Sequence, residues 1–442
     1  MRNKSIRILI GIAAVLVIAV GVYYLPPVHS RLAWRIDDLR TRIKYALNPP
    51  DEVVFVPTQL IQATATPSPV PSLTPTPTGP TQTPAPTLSP TVTPTPLPAS
   101  VILKNITYID EHGRWNYCGP ANLAMALTYW GWKGDRDDIA EIVKPGVNDP
   151  DLDFIARGKT DKNVMPSELI GYVQDYTNFN VVLRYGGEMD LLKRLIAAGF
   201  PVIVEKGYYT KDYTGKMGWL GHYVFVTGYD DAQSGFIVQD AWLVPGKNLI
   251  SPYAVFHEGW RSFDYLFMVI YPAEREQEVF DLLGRWTDNV WANQYALDIA
   301  NTETQTLTGV DGFFAWFNKG TSHVRLQQYV DAAMAYDQAF ALYAQLGNDD
   351  KQRPYRMMWY QTGPYWAYFY TGRYPDVIGL ADQTLNETVD KPTLEESLYW
   401  RALAEYALGQ YDAAYADLRQ SVYLNKNFQA GIERMAEWGI SP

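Results

Sequence analysis

Hydrophobic and polar positions divide this chain into stretches of different period. From Ile8 to Leu25 apolar, glycine and tyrosine residues run unbroken, preceded by Arg2, Lys4 and Arg7 and closed by Pro26-Pro27. Such a run is long enough to cross a bilayer as a helix. Its end, Val22-Tyr23-Tyr24-Leu25, offers no pair of small residues to a signal peptidase, so an uncleaved signal anchor over residues 1–30 is expected. Arg31, Arg35, Arg40, Arg42 and Lys44 outnumber the cations before the span, so charge alone does not set its orientation. Leu32, Ile36, Leu39, Ile43 and Leu47 then recur every three or four positions, which predicts an amphipathic juxtamembrane helix over 31–47. It either lies on anionic headgroups or is solvated beside the anchor.

Across residues 48–100 the periodicity disappears and Pro, Thr, Ser and Ala dominate, as in Thr74-Pro75-Thr76-Pro77-Thr78. A segment of this kind cannot bury a core and is expected to be a disordered, partly polyproline linker. Fully extended at about 3.1 Å per residue, it would reach on the order of 150 Å. A stalk of that composition makes most sense on the outer side of a membrane, which places the globular domains outside the cytoplasm.

Alternation resumes at Val101 and runs to about Pro272, a globular domain over 101–272. A strand is predicted over Ile102 to Ile109, and helices from Cys118 to about Trp132, around Asp138 to Val143 and from Pro166 to Tyr176. Short β-branched or aromatic runs follow: Val181 to Leu183, Pro201 to Val204, His222 to Thr227, Gly235 to Gln239 and Tyr265 to Ile270. Helices first and strands second is an α+β order.

Within that order three residues carry candidate chemistry. Cys118, the single cysteine, opens the helical run Leu123-Ala124-Met125-Ala126-Leu127. A thiol at a helix N-terminus meets the positive end of the dipole and unpaired N–H groups, which favour the thiolate that a nucleophile needs. The plainer alternative is a small buried hydrophobe. His222 shares a strand face with Val224 and Val226, pointing toward the core side where a helix would pack, either as a general base or as a satisfied core histidine. Asp240, at the end of the next strand, could hold the imidazole tautomer and stabilise its charged form.

Asn116-Tyr117-Cys118-Gly119-Pro120-Ala121, Gly221-His222-Tyr223 to Gly228-Tyr229-Asp230 and Val238-Gln239-Asp240 resemble the papain-like peptidases related to the bacteriocin leader peptidases, the thirty-ninth cysteine-peptidase family. Asp161 to Pro166, Leu191 to Leu195 and Gly199 to Val204 resemble its stand-alone extracytoplasmic branch. The resemblance covers about residues 100–272. It implies a papain-like α+β fold with Cys118 as nucleophile, His222 as general base and Asp240 as orienting acid. The backbone N–H of Cys118 would serve the oxyanion hole. The family's glutamine a few residues before the cysteine is missing, because the stretch reads His112-Gly113-Arg114-Trp115. That leaves the side-chain donor unidentified, with His112 and Arg114 as substitutes to consider, and losing one donor typically costs about 10²–10³ in rate.

After about Ala273 the pattern becomes wholly helical, giving a second domain over 273–442. Leu326 to Ala333, Tyr370 to Val377 and, most clearly, Ala407-Leu408-Gly409-Gln410-Tyr411-Asp412-Ala413-Ala414 resemble tetratricopeptide repeats. The resemblance implies an all-α array that presents a surface to a peptide or protein partner. The aromatic stretch Tyr355, Trp359, Tyr360, Tyr365, Trp366, Tyr368, Phe369 and Tyr370 either lines that groove or packs between helices.

Composition narrows the function classes. With 442 residues, 47% of them hydrophobic, the chain can bury two sizeable cores. A net charge of −11 with no basic domain argues against nucleic acid as a partner. The five histidines show no metal-ligand spacing and no Gly-rich phosphate loop follows a strand, so neither a metal nor a cofactor is expected. The chain therefore reads as a single-pass membrane protein of bacterial type, with an extracytoplasmic cysteine peptidase hydrolysing peptide amides and repeats that hold a substrate or partner. The alternative of a different class is a catalytically inactive peptide-binding adaptor.

Overall fold

The computed structural model describes residues 54–57, 96–114, 116–147, 164–211, 217–347, 353–354, 356–386 and 394–441, with scattered positions before residue 48. Most of the apolar run from Ile8 to Leu25, most of the helix expected over 31–47, most of the linker and Tyr355 lie outside the described residues. Among the described residues, no helix is long and apolar enough to cross a membrane.

Seven antiparallel strands form one sheet: β1 (Ser100–Ile102), β2 (Phe179–Arg184), β3 (Val202–Lys211), β4 (Met217–Asp230), β5 (Gly235–Gln239), β6 (Leu249–Pro252) and β7 (Phe267–Pro272). Their order is β2-β7-β3-β4-β5-β6, and β1 pairs with the far end of β4. Helices α1 (Cys118–Tyr129), α2 (Arg136–Val143) and α3 (Pro166–Tyr176) precede most of the sheet, while α4 (Met189–Ala197) and α5 (Tyr253–Arg261) connect its strands. The sheet is a papain-like fold read from its order, a helical layer followed by antiparallel strands. The strand expected over Ile102 to Ile109 is confined to Ser100–Ile102, whereas β3 and β4 extend well beyond the predicted runs because they pair with each other from Val202↔Val226 to Lys211↔Met217.

Two cores sandwich the sheet. Alternation along β4 sends Val224 and Val226 into a cluster with Leu191, Leu192, Phe256 and Trp260, and sends Tyr223 and Phe225 into the other with Leu123 and Leu127 of α1. The helix that begins at Cys118 therefore packs over the face opposite the one expected from the spacing of His222, Val224 and Val226. What brings Cys118 to His222 is the start of α1 rather than its body.

The rest of the chain is helical: α6 (Glu276–Leu283), α7 (Asn289–Thr306), α8 (Gly309–Arg325), α9 (Tyr329–Gln345), α10 (Met357–Tyr360), α11 (Gly363–Tyr370), α12 (Tyr374–Asn386), α13 (Glu395–Ala407), α14 (Tyr411–Leu424) and α15 (Gln429–Glu437). The pairs α8–α9, α11–α12 and α13–α14 are helical hairpins whose turns hold one left-handed residue each, Gln327 (φ 59°), Gly372 (φ 75°) and Gly409 (φ 79°). Glycine adopts that backbone without steric cost, so the glutamine marks the first hairpin as the strained member. Small residues Ala332, Ala333, Ala402, Ala404 and Ala414 are fully buried where helices meet, allowing close approach.

This array shares a core with the sheet. Trp219 of β4 stacks on Phe263 at 5.7 Å and meets Phe314 of α8 at the same separation, and both cluster with Tyr365 and Tyr368 of α11. Polar ties flank the aromatics: Asn318 Nδ2 donates to Arg261 O at 2.7 Å, Gln361 Nε2 to Ser262 O at 2.6 Å, and Arg325 pairs with Asp264 at 2.9 Å. At the far end Asn427 Nδ2 donates to Ile142 O just before the end of α2 at 2.8 Å. One piece of the expected spacer is also built in: Phe55 is buried, with its ring 5.0 Å from that of Phe340 and 6.2 Å from that of Tyr368. An uninterrupted stalk from residue 48 is thus corrected at this point, since burying a phenylalanine ring is worth about 1.5–3 kcal/mol to the docked segment.

Candidate active site

Cys118 is the first residue of α1 and is half-buried. No side chain caps this helix and its first turn holds no acid, which leaves the positive end of the dipole to the thiol and to whatever anion forms beside it. Asn116 takes a left-handed backbone (φ 53°), turning the chain into the helix. Gly119 sits close against Val164, where an added Cβ would lie a tight 3.3 Å from Cβ of that valine.

The helix start is clamped to β4 by Asn122. This side chain is fully buried, and its Nδ2 donates to Cys118 O at 2.8 Å and to Tyr223 O at 2.9 Å, the strand residue next to His222. On the other side, Gly221 admits the ring of Tyr360, since a Cβ would come within 2.9 Å of it and 2.6 Å of Phe263. Sequence reasoning passed over Asn122, although it stands one helical turn after the cysteine, where a buried amide can face both.

His222 and Asp240 are nearly buried, with 4% and 6% exposure. His222 Nε2 lies 3.1 Å from Asp240 Oδ1, so Nδ1 is the ring nitrogen left over, and Cys118 is close enough to influence the imidazole. Burial alone would lower the His222 pKa, but the charge and hydrogen bond of Asp240, helped by Cys118, hold it well above the ordinary imidazole value. Burial would raise Asp240, yet the His222 charge and the N–H groups of Leu243 (3.0 Å) and Trp242 (2.9 Å) keep it well below the usual carboxylate range. The three residues named from the sequence are thus brought together, and the imidazole is arranged to be charged.

The two residues considered as substitute oxyanion donors point elsewhere. His112 Nε2 is 2.9 Å from Trp242 O, and Arg114 forms a bidentate pair with Asp137 at 2.6 and 2.9 Å. The acid one position earlier is the one inside: Glu111 is buried, accepts the N–H of Tyr117, and leaves Oε2 without a hydrogen-bond partner. Burial raises its pKa against the opposing pull of His222. Tyr208 is the other addition, its ring edge-on to His222 at 5.4 Å. Among the described residues no group of three or more His, Cys, Asp or Glu is placed to hold a metal ion.

A helix-borne cysteine facing a histidine–aspartate pair on an antiparallel sheet defines a peptidase-like domain of papain-like fold. Residues 103–267 match the Peptidase_C39 like family. Among curated proteins none matches the chain. Of solved structures, one described as a C39-like peptidase from Bacillus anthracis is 21% identical, covering 39% of this chain and 96% of its own, with a TM-score of 0.29. Xylellain, a cysteine protease from Xylella fastidiosa, is 18% identical over 40% of this chain and 87% of its own, with a TM-score of 0.27. Scores of that size leave the assignment on the family match and the site.

Proposed function

We propose that the protein is a cysteine peptidase that hydrolyses peptide amides through Cys118, His222 and Asp240. The observation that carries this reading is the buried His222–Asp240 pair at 3.1 Å, with Cys118 at an uncapped helix start close enough to influence the imidazole. In the first step Cys118 gives its proton to His222 and its sulfur attacks the scissile carbonyl carbon. The carbonyl oxygen becomes an oxyanion at the N-terminus of α1, where the Cys118 N–H serves it. Collapse forms a thioester on Cys118 and breaks the C–N bond, while His222 passes its proton to the leaving amine. Water then attacks the thioester, His222 takes its proton, and the carboxylic acid and the thiol are released. Asp240 holds the imidazole orientation and balances its charge throughout.

The wider assignment follows the sequence. The run Ile8 to Leu25 supports a single-pass anchor with the globular regions on the outer side, and the three helical hairpins support tetratricopeptide-like repeats that bind a substrate or partner protein. One observation favours the second reading, a peptide-binding adaptor: His112 and Arg114 are both engaged elsewhere, so neither replaces the missing glutamine. Digestion of a peptide library by wild type and Cys118→Ala decides between them. The peptidase reading expects cleavage by wild type and at least about a 10³-fold loss in the variant. Equal products from both, or none from either, would overturn it.

A further inference from the structure

A cavity of about 770 Å³ lies between the sheet and the helical array. It is linked to the start of α1 through its walls: Met165 lines it next to Val164, whose side chain lies against Gly119, and its lining residue Tyr360 stands within electrostatic range of Cys118. One wall belongs to the peptidase-like domain, including Tyr185 and Glu205, and the other to the array, including Trp366, Tyr370 and Trp400. A volume of this size suits a short peptide segment.

Its charge is one-sided. Five charged residues line it, Glu168, Glu205, Glu396, Arg325 and Arg434. Both arginines already have acid partners outside the lining, Arg325 in Asp264 at 2.9 Å and Arg434 in Glu437 at 2.6 Å. Glu168 is committed to the N–H of Met165 at 2.7 Å. Glu205 is different: it is 2% exposed, and its side-chain bond is to Tyr223 rather than to a cation. Tyr223 also directs its hydroxyl to Val164 O at 3.0 Å, so its one proton is shared between that carbonyl and Glu205. Burial pushes Glu205 well above the carboxylate range, against the opposing pull of Tyr223 and His222. The groups facing it are Tyr223 and His222 on β4, Tyr185 beyond β2 and Tyr360 on α10, with Arg325 across the Tyr185 ring.

We propose that this cavity is a specificity pocket of the same enzyme, taking a substrate segment with a lysine or arginine side chain between the aromatic wall and Glu205. The aromatic faces attract the cation and cover its alkyl stem. The cation supplies the partner that Glu205 lacks, and the acid gives up its proton on binding. The array is then part of the substrate site, which is why the chain builds the cavity from both regions. This rests on the peptidase reading for its meaning, but binding tests it separately.

The experiment uses the full chain with Cys118→Ala, so that no turnover interferes, and titrates a matched pair of blocked peptides differing only in lysine versus norleucine. Calorimetry in two buffers of different ionisation enthalpy counts released protons. Expected is at least about tenfold tighter binding of the lysine peptide, with about one proton released. Glu205→Gln should bind both alike with no proton release, and Trp400→Ala should weaken both while the fold, followed by near-ultraviolet circular dichroism, is kept. Equal binding of the two peptides, binding of neither, or discrimination surviving in Glu205→Gln would overturn the pocket. Failure of wild type to cleave any peptide, with lysine discrimination intact, would instead remove the peptidase reading alone.

Discussion

The candidate site in the sheet domain and the arginine clusters that join the helices of the array treat buried charge differently. In the array Arg373 sits between Asp337 at 2.8 Å and Asp376 at 2.7 Å, with Tyr368 adding a 3.0 Å bond to Asp337. Arg401 likewise bridges Asp382 at 2.6 Å and Asp417 at 2.5 and 2.9 Å. These clusters are balanced, with each guanidinium fork filled by two carboxylates, and they hold helices together. Among the described residues the buried acids Glu111 and Glu205 form no salt bridge with a lysine or arginine, and a close ion pair at the site joins a histidine to an aspartate. Charge left unbalanced in a low dielectric is costly to stability and is retained where chemistry needs perturbed groups. The array is built to persist and the site is built to react.

The contrast can be broken at several points. Asp240→Asn should have the largest effect, lowering kcat by about 10²–10⁴ through loss of imidazole orientation and charge. The sign on pH follows from His222: its raised pKa keeps the imidazole protonated to well above the ordinary value, so removing the Asp240 charge moves the alkaline limb of the rate profile to lower pH. A limb that stays in place would argue against the pair acting as a unit. Arg373→Ala comes next, leaving Asp337 and Asp376 buried without a cation and costing about 3–5 kcal/mol in denaturant unfolding. Because it lies far from the thiol in role, the rate per folded molecule should not change.

Asn122→Ala sharpens the boundary between the two behaviours, since this amide is structural and also positions the nucleophile. Loss of its two bonds should cost about 1–3 kcal/mol and also slow alkylation of Cys118, which a purely structural residue would not do. The smallest effect is expected at Asp264, where burial raises the pKa to about 7 despite Arg325. An acid whose folded pKa lies above its unfolded value near 3.9 lets the unfolded state ionise first, so stability falls as pH rises between those limits. The melting temperature of Asp264→Asn should therefore decline less from pH 5 to pH 7 than that of wild type.

Local pattern was a good guide where one element answers for itself. The helix Pro166–Tyr176 and the strand Gly235–Gln239 stand where apolar spacing and turn residues place them, and the C-terminal part is helical as its period requires. Pattern failed where a neighbour decides. Helix α4 and helix α5 were not read as helices, and β3 and β4 grew past their apolar cores because each supplies the other's hydrogen bonds. At the site, Cys118, His222 and Asp240 were legible because their types and order carry chemistry. Asn122 and Glu111 were not, since an amide and an acid near a cysteine mean nothing until burial removes their water.

What the sequence determined by itself was the set of reactive groups and the order of elements that present them, because thiol, imidazole and carboxylate are local properties and helical or alternating period is a local signal. Only the tertiary structure decided that α1 packs on the Tyr223 and Phe225 face, that Phe55 leaves the linker for the array, and that sheet and helices enclose a cavity with Glu205 at its wall. Those outcomes depend on which apolar surfaces meet and which polar groups lose solvent. Distances through space settle such matters, and a linear pattern does not contain them.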